Sequence, residues 1–358
     1  MTDLTTQFSG TMPVPPRQQI DTAALESYLR GFVADFRGPV TLEVFKGGQS
    51  NPTYKLHTPD GMYVMRTKPG PAHKLLPSAH AIEREYRVLS ALAQTDVPVP
   101  EVYCLCEDEA IIGRAFYLME FVDGRVLWEQ GLPGMDTRER GAIYREMNRV
   151  IATLHSVDFA AIGLTGFGKP GNYFARQIAR WSKQYQASQT AKIEEMDRLI
   201  EWLPTRIPPG DETTIVHGDY RLDNLVFAHD APRILSILDW ELSTLGHPLA
   251  DFSYHCMSWH IPPGHFRGIA GLDLAGLGIP DESSYVRAYC ERTGRDEAVL
   301  MKHWNFYMAY NMFRLAAILQ GIVRRAVDGI AASTTAPETA ERVGPLATFG
   351  WRFAQRDD

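Results

Sequence analysis

Residues Ile215–Phe227 read IVHGDYRLDNLVF. Two apolar residues lead into His217-Gly218-Asp219, a second carboxylate and an amide follow at Asp223 and Asn224, and the chain then turns apolar again. Buried polar groups are costly unless each is hydrogen-bonded, so polar residues this dense between strand-like flanks need a reason. The stretch by itself leaves three open: a catalytic loop, a metal site, or a polar turn.

A second carboxylate narrows the choice. Asp239 ends the apolar segment ILSILDWE, fifteen residues beyond Asn224. Mg²⁺ takes oxygen ligands and keeps several positions for water and substrate phosphates. One carboxylate and one amide oxygen, Asp239 and Asn224, are then a sufficient contribution from the protein. Asp219, five residues before Asn224, is left to take a proton from an attacking hydroxyl or to orient it. His217 suits holding the loop backbone better than chemistry. Far upstream, the turn Gly47-Gly48-Gln49-Ser50-Asn51 joins two strand-like segments and offers backbone N–H groups and a hydroxyl to phosphate oxygens. Alone it is weak, since most Gly-Gly turns are only turns.

The whole chain bounds these readings. At 358 residues, two lobes are the natural expectation, and 45% hydrophobic with 22% charged residues is ordinary for a globular protein with a sizeable core. The net charge of −7, with no Lys/Arg-rich run, argues against nucleic acid as a partner. Of the four cysteines only Cys104 and Cys106 are close, and no second pair completes a zinc set. His247, His255, His260, His265 and His303 have no ligand spacing. The first twenty residues lack the pattern of a secretory signal, and the apolar runs fall short of the roughly 18 residues a membrane span needs. The expectation is a cytoplasmic protein with no membrane partner; its oligomeric state is not legible.

Residues 1–19 are polar and Pro-containing and read as a flexible arm. Asp21 can cap a first helix. Strand-like segments follow in VTLEVF, TYKLHT and MYVMRTK, with Pro59-Asp60-Gly61 as a hairpin turn. The helix HAIEREYRVLSALAQ carries Ile82, Tyr86, Leu89 and Leu92 at helical spacing. VPVPEVYCLC and RAFYLMEFV read as two more strands. From about residue 123 helical periods dominate. The expected organisation is an N-lobe over 20–122 and a C-lobe over 123–358.

Taken in order, HGDYRLDN followed by LDWE resembles the aminoglycoside phosphotransferase and choline-kinase-like branch of the protein-kinase fold. The pattern covers nearly the whole chain: GGQSN as the phosphate loop, YVMR as third strand, EREYRVLSAL as the Glu-bearing helix, LMEFVDG as hinge and GHPLADFSY after the metal Asp. GGQSNPTY, RQIARW and HGDYRLDNLVF together are similar to kinase-like proteins found beside or fused to acyl-CoA dehydrogenases. The resemblance implies a protein-kinase-like α+β fold, a small β-rich N-lobe and a larger helical C-lobe. It implies ATP and Mg²⁺ as cofactors, Asp219 as catalytic base, and Asn224 and Asp239 as metal ligands. Gly47, Gly48, Ser50 and Asn51 would cover the phosphates, Glu85 would position a cation from the third strand, and Glu120 to Val122 would offer hinge backbone to adenine. The third-strand Lys is replaced by Arg66, whose planar fork is not interchangeable with an ammonium. Lys68 lies on the same face by strand alternation; Arg66 is the favoured partner of Glu85. Arg221, two residues after Asp219, is a further candidate for stabilising charge at the transferred phosphoryl group.

The resulting expectation is a phosphotransferase acting on a hydroxyl of a small molecule, with a hydroxyacyl-CoA or other anionic metabolite as acceptor. Arg176 and Arg180 of RQIARW are one turn apart and suit an anion as well as a solvated face. Two alternatives stand beside this: an aminoglycoside-type antibiotic kinase and a catalytically weak, nucleotide-binding pseudokinase. Asp251 reads as a brace to the catalytic loop or as a first-turn helix acid.

Overall fold

The computed structural model describes residues 9–46, 51–69, 81–264, 266–329 and 336–356. The chain divides into two compact units. One runs through Trp128 and adds Ala160–Phe167 and Leu222–Leu242; the other comprises Glu129–Phe159, Gly168–Arg221 and the chain from Ser243.

The first unit is built on a six-stranded antiparallel sheet of order β1-β2-β3-β4-β6-β5. Its strands are β1 (Thr11–Pro13), β2 (Thr41–Phe45), β3 (Thr53–Thr58), β4 (Gly61–Thr67), β5 (Val102–Cys106) and β6 (Phe116–Glu120). Pro59 and Asp60 make the two-residue connection between β3 and β4, which pair from Thr58↔Gly61 to Thr53↔Arg66. Helix α1 (Thr22–Phe32) starts where Asp21 accepts from Ala23 N and Ala24 N, each at 3.0 Å. Its Leu25 and Leu29 pack in one core with Tyr54, Leu56, Met65, Phe116 and Leu118. Because side chains alternate along a strand, the neighbours Arg66 and Tyr117, paired across β4 and β6, take the opposite face. There α2 (Ile82–Leu92) packs on β5 and β6 and brings Glu85.

Part of the stretch read as an arm joins this sheet. β1 pairs with β2, the Tyr54 hydroxyl donates to the Gln18 carbonyl at 2.8 Å, and Trp128 Nε1 donates to Ser9 Oγ at 2.8 Å. A short, Pro-containing segment that cannot donate along its whole length suits a sheet edge.

The expected boundary after Val122 is also displaced. Strand β7 (Arg125–Val126) pairs with β9 (Leu225–Phe227), which pairs with β10 (Ile234–Ile237), so the segment after the His217–Arg221 loop belongs to the first unit. Ile237 N donates to Pro98 O at 2.9 Å, and Arg84 donates to Phe167 O at 2.7 Å, which ties in Ala160–Phe167.

The second unit is helical: α3 (Thr137–His155), α4 (Tyr173–Ser188), α5 (Glu194–Trp202), α6 (Pro248–Cys256), α7 (Leu274–Leu277), α8 (Glu282–Thr293), α9 (Glu297–Lys302), α10 (Trp304–Val327) and α11 (Ala336–Ala354). The aromatic-rich α10 is buried along most of its length and packs against α4, α6 and α11. A two-stranded ladder of β8 (Thr214–Val216) and β11 (Thr244–Gly246) delivers both the His217 loop and the start of α6. Gly246 is required there, since a Cβ would lie 2.7 Å from Tyr173 Cε2 and 2.8 Å from Val216 Cγ2. His247 Nδ1 caps α6 by accepting from Leu249 N at 3.2 Å, and Pro248 fills the first position, where its missing N–H costs nothing. All four cysteines are buried free thiols. Among the described residues, no helix is long and apolar enough to cross a membrane.

Candidate active site

In the first unit three carboxylates converge on Arg66. Its Nε lies 2.8 Å from Glu85 Oε2, and its Nη2 lies 2.7 Å from Asp239 Oδ1 and 3.2 Å from Glu241 Oε2. Glu85 is fixed further by Asn51 Nδ2 at 3.0 Å and the Tyr117 hydroxyl at 3.1 Å. Burial alone would lower the guanidinium; Glu85 first, then Asp239, hold it above its ordinary value. Lys68 is paired with Glu83 of the same helix, so Arg66 and not Lys68 reaches Glu85.

Asn224 and Asp239 are brought together by the β9–β10 ladder. Ile237 is opposite Leu225, and Leu238 N donates to Asn224 O at 2.8 Å, one residue before Asp239. Asp239 has φ 64, an uncommon conformation for a residue with a side chain, and such residues concentrate at functional sites. Asn224 brings an amide oxygen and Asp239 a carboxylate, the donor types that suit Mg²⁺.

The second unit holds Asp219 and Arg221. Gly218 has φ 84, which glycine adopts without steric cost, and the turn it makes leads into the part-buried Asp219. Asp219 Oδ1 accepts from the Tyr254 hydroxyl at 2.6 Å, and Arg221 Nη2 lies 3.2 Å from Asp219 Oδ2. The backbone beneath is pinned from three sides. Asp251 accepts from His217 N at 2.7 Å and Gly218 N at 2.8 Å, Arg314 Nη2 donates to Gly218 O at 2.7 Å, and Asp219 N donates to His217 Nδ1 at 3.2 Å. Asp251, 2% exposed, is therefore a brace to this loop. Burial works against its charge, but the His155 ring and the loop N–H groups bring it below the usual carboxylate range. His155, itself pushed down by burial, is held by the Tyr289 hydroxyl at 2.7 Å. Burial, then the adjacent Asp219 carboxylate, push the Tyr254 phenol well up, so that it stays a donor.

The other expected residues are placed as follows. Gly47, Gly48 and Ser50 lie outside the described residues. Asn51, expected over phosphates, is 1% exposed and turned to Glu85. Glu120 ends β6 with its side chain exposed, and Val122 follows in the connection to β7. Arg176 donates to the Lys169 carbonyl at 2.6 Å. Sequence reasoning did not single out Tyr254, Glu241 or Arg314. Tyr254 is three residues after Asp251, on the same face of α6, and Glu241 is two residues after Asp239.

A sequence profile described as "Phosphotransferase enzyme family" matches residues 41–298, a span that holds every residue of both clusters except Arg314. The chain belongs to this phosphotransferase family. It is 46% identical over 351 residues to mouse acyl-CoA dehydrogenase family member 10, covering 97% of this chain and 32% of the relative, so it spans about a third of that protein. A crystal structure of a Ralstonia eutropha protein, provisionally assigned as an aminoglycoside phosphotransferase, is 60% identical with TM-score 0.85, covering 94% of this chain and 99% of that one. A thermostable mutant of aminoglycoside phosphotransferase APH(4)-Ia, in ternary complex with AMP-PNP and hygromycin B, has 16% identity and TM-score 0.60, covering 93% and 99%, and shares the fold. The fold is the protein-kinase-like α+β fold, and family and neighbours together support a small-molecule phosphotransferase.

Proposed function

We propose that the chain transfers the γ-phosphoryl group of ATP, with Mg²⁺, to a hydroxyl of a small molecule. The observation that carries this reading is Asp219, fixed at one oxygen by Tyr254 and at the other by Arg221, on a loop whose backbone Asp251 and Arg314 hold. Positioning of this kind is most of what phosphoryl transfer asks of a protein. The acceptor oxygen bonds to the γ-phosphorus, the bond from that phosphorus to the β–γ bridging oxygen breaks, and ADP leaves with the electron pair. The hydroxyl proton goes to Asp219. Arg221 stabilises charge on the phosphoryl oxygens.

Asn224 and Asp239 would hold Mg²⁺, and a metal bound there neutralises charge on the phosphates. Arg66, aligned by Glu85, binds phosphate oxygens in place of the usual lysine, and Asn51 orients Glu85. Gly47, Gly48 and Ser50 cover the phosphates, and the backbone from Glu120 to Val122 receives adenine. ATP as donor is supported by the AMP-PNP complex of the APH(4)-Ia mutant.

For the acceptor, likeness to an acyl-CoA dehydrogenase family member supports a hydroxyacyl-CoA or a related anionic metabolite. The test is incubation with Mg-ATP and hydroxyacyl-CoAs, with aminoglycosides and choline as comparators. Transfer to the acyl thioester supports the reading; transfer to an aminoglycoside alone replaces it with an antibiotic kinase. One observation favours a pseudokinase: Arg66 stands where the lysine is expected and is bonded to Asp239. Tight Mg-ATP binding without transfer to any acceptor would establish that second reading.

A further inference from the structure

Asp239, one of the two residues that would hold Mg²⁺, already has a cation on one of its oxygens. Arg66 Nη2 lies 2.7 Å from Asp239 Oδ1 and 3.2 Å from Glu241 Oε2. The second oxygen, Asp239 Oδ2, bonds none of the described residues, and the side chain is 34% exposed. The guanidinium is not free to turn aside. Its Nε lies 2.8 Å from Glu85 Oε2, where both side chains are buried, and Asn51 and Tyr117 hold the Glu85 carboxylate in turn. Nη1 is the corner left over. It bonds none of the described residues and is the part of Arg66 available to phosphate oxygens.

Sharing a carboxylate with a fixed guanidinium has a definite sign. A divalent cation on Oδ2 stands across one carboxylate group from a positive charge, in a partly buried place where solvent and salt screen little. The two cations repel, and a carboxylate that already gives one oxygen to Arg66 is the weaker ligand. A polyphosphate reverses both effects, because it brings negative charge to the metal and engages the guanidinium. A lysine would not act in this way, since one ammonium does not span Glu85 and Asp239 as the planar fork does. We propose that Arg66 is a guard on the metal position: it keeps Asp239 a poor ligand for a divalent cation alone and makes metal binding depend on a bound nucleoside triphosphate. Metal and nucleotide are then coupled through Arg66, and each tightens the other by the same factor. The inference rests on the reading of Asn224 and Asp239 as metal ligands but not on transfer to any acceptor.

The test uses the full chain with Mn²⁺, an oxygen-seeking octahedral probe for the Mg²⁺ position, and AMP-PNP as the nucleotide. Mn²⁺ binding to the nucleotide-free protein is read from loss of the free-ion paramagnetic resonance signal, which needs no turnover. Arg66→Gln is expected to bind Mn²⁺ at least about tenfold tighter than wild type, with Arg66→Lys between the two. Adding Asp239→Asn to Arg66→Gln should remove the gain. Calorimetry then gives the factor by which Mn²⁺ tightens AMP-PNP, which should shrink in the variants by the same ratio. Where Arg66→Gln does not fold, Arg66→Lys, which keeps a cation beside Glu85, decides the matter. Mn²⁺ bound by the folded variant no tighter than by wild type overturns the proposal. So does a gain that survives Asp239→Asn, because the metal then sits elsewhere. The expected coupling without transfer to any acceptor leaves the guard standing and tells against the phosphotransferase reading alone.

Discussion

Arg66 Nη2 stands 2.7 Å from Asp239 Oδ1 while its Nε stands 2.8 Å from Glu85 Oε2. One guanidinium thus joins the carboxylate of α2 to the carboxylate that follows β10, and a compact ammonium could not span both in the same way. Glu241 adds a third negative group at 3.2 Å.

Removing that cation leaves the buried Glu85 carboxylate uncompensated, with Asp239 and Glu241 part-buried beside it. Arg66→Ala is expected to destabilise the protein by about 3 kcal/mol or more, measured by urea unfolding at neutral pH. Arg66→Lys retains the charge and should recover part of the stability. If Arg66→Ala unfolds at the wild-type urea concentration, the cluster contributes nothing to the fold.

Tyr254 donates to the carboxylate proposed as base. Tyr254→Phe removes that donor, and a carboxylate that loses a hydrogen bond to its charged form has a higher pKa. The acid limb of the pH–rate profile should move to higher pH, with kcat reduced roughly tenfold and the larger effect in kcat rather than in KM for ATP. A profile unchanged in position would remove Tyr254 from the account.

Asp251 receives two backbone N–H groups and the His155 ring. Asp251→Leu leaves these buried donors unpaired, at a cost of roughly 3–5 kcal/mol. Its unfolding transition should fall accordingly. Asp251→Asn keeps one acceptor oxygen and should fall between the two.

Buried histidines make the second unit acid-sensitive. Burial lowers His255 to about 4 and His247 to about 4. The unfolded chain, with histidines near their ordinary 6.5, binds more protons between those values, so stability is fully present above about pH 6.5 and is lost as pH falls toward 4. The slope corresponds to about 1.4 kcal/mol per pH unit for each histidine. Thermal melts from pH 7.5 to 4.5 should show this fall, and His255→Gln should flatten it; a melting temperature constant across the range contradicts the burial of these rings.

Much of this was legible in the sequence, for reasons that differ by residue. Asp219, Asn224 and Asp239 could be singled out as candidates because each lies beside a short apolar strand, where spacing fixes position. Arg66 was legible through the family resemblance, since it stands at the third-strand lysine position, while strand alternation alone left Lys68 on the same face. Tyr254 was not, because its aim depends on the direction in which α6 leaves β11, a direction set by the close approach at Gly246 and the His247 cap. The lobe boundary was misplaced because β9 pairs with β7 across about a hundred residues of chain, a non-local register that composition does not carry.

The central claim is that Asp219 activates a hydroxyl for phosphoryl transfer. The most direct test is Mg²⁺-dependent transfer from γ-labelled ATP to the best acceptor of the panel, compared in wild type and Asp219→Asn, with ATP affinity measured alongside. The account predicts a loss of about 10²–10⁴-fold in kcat with ATP binding retained. Transfer by Asp219→Asn at the wild-type rate would contradict it.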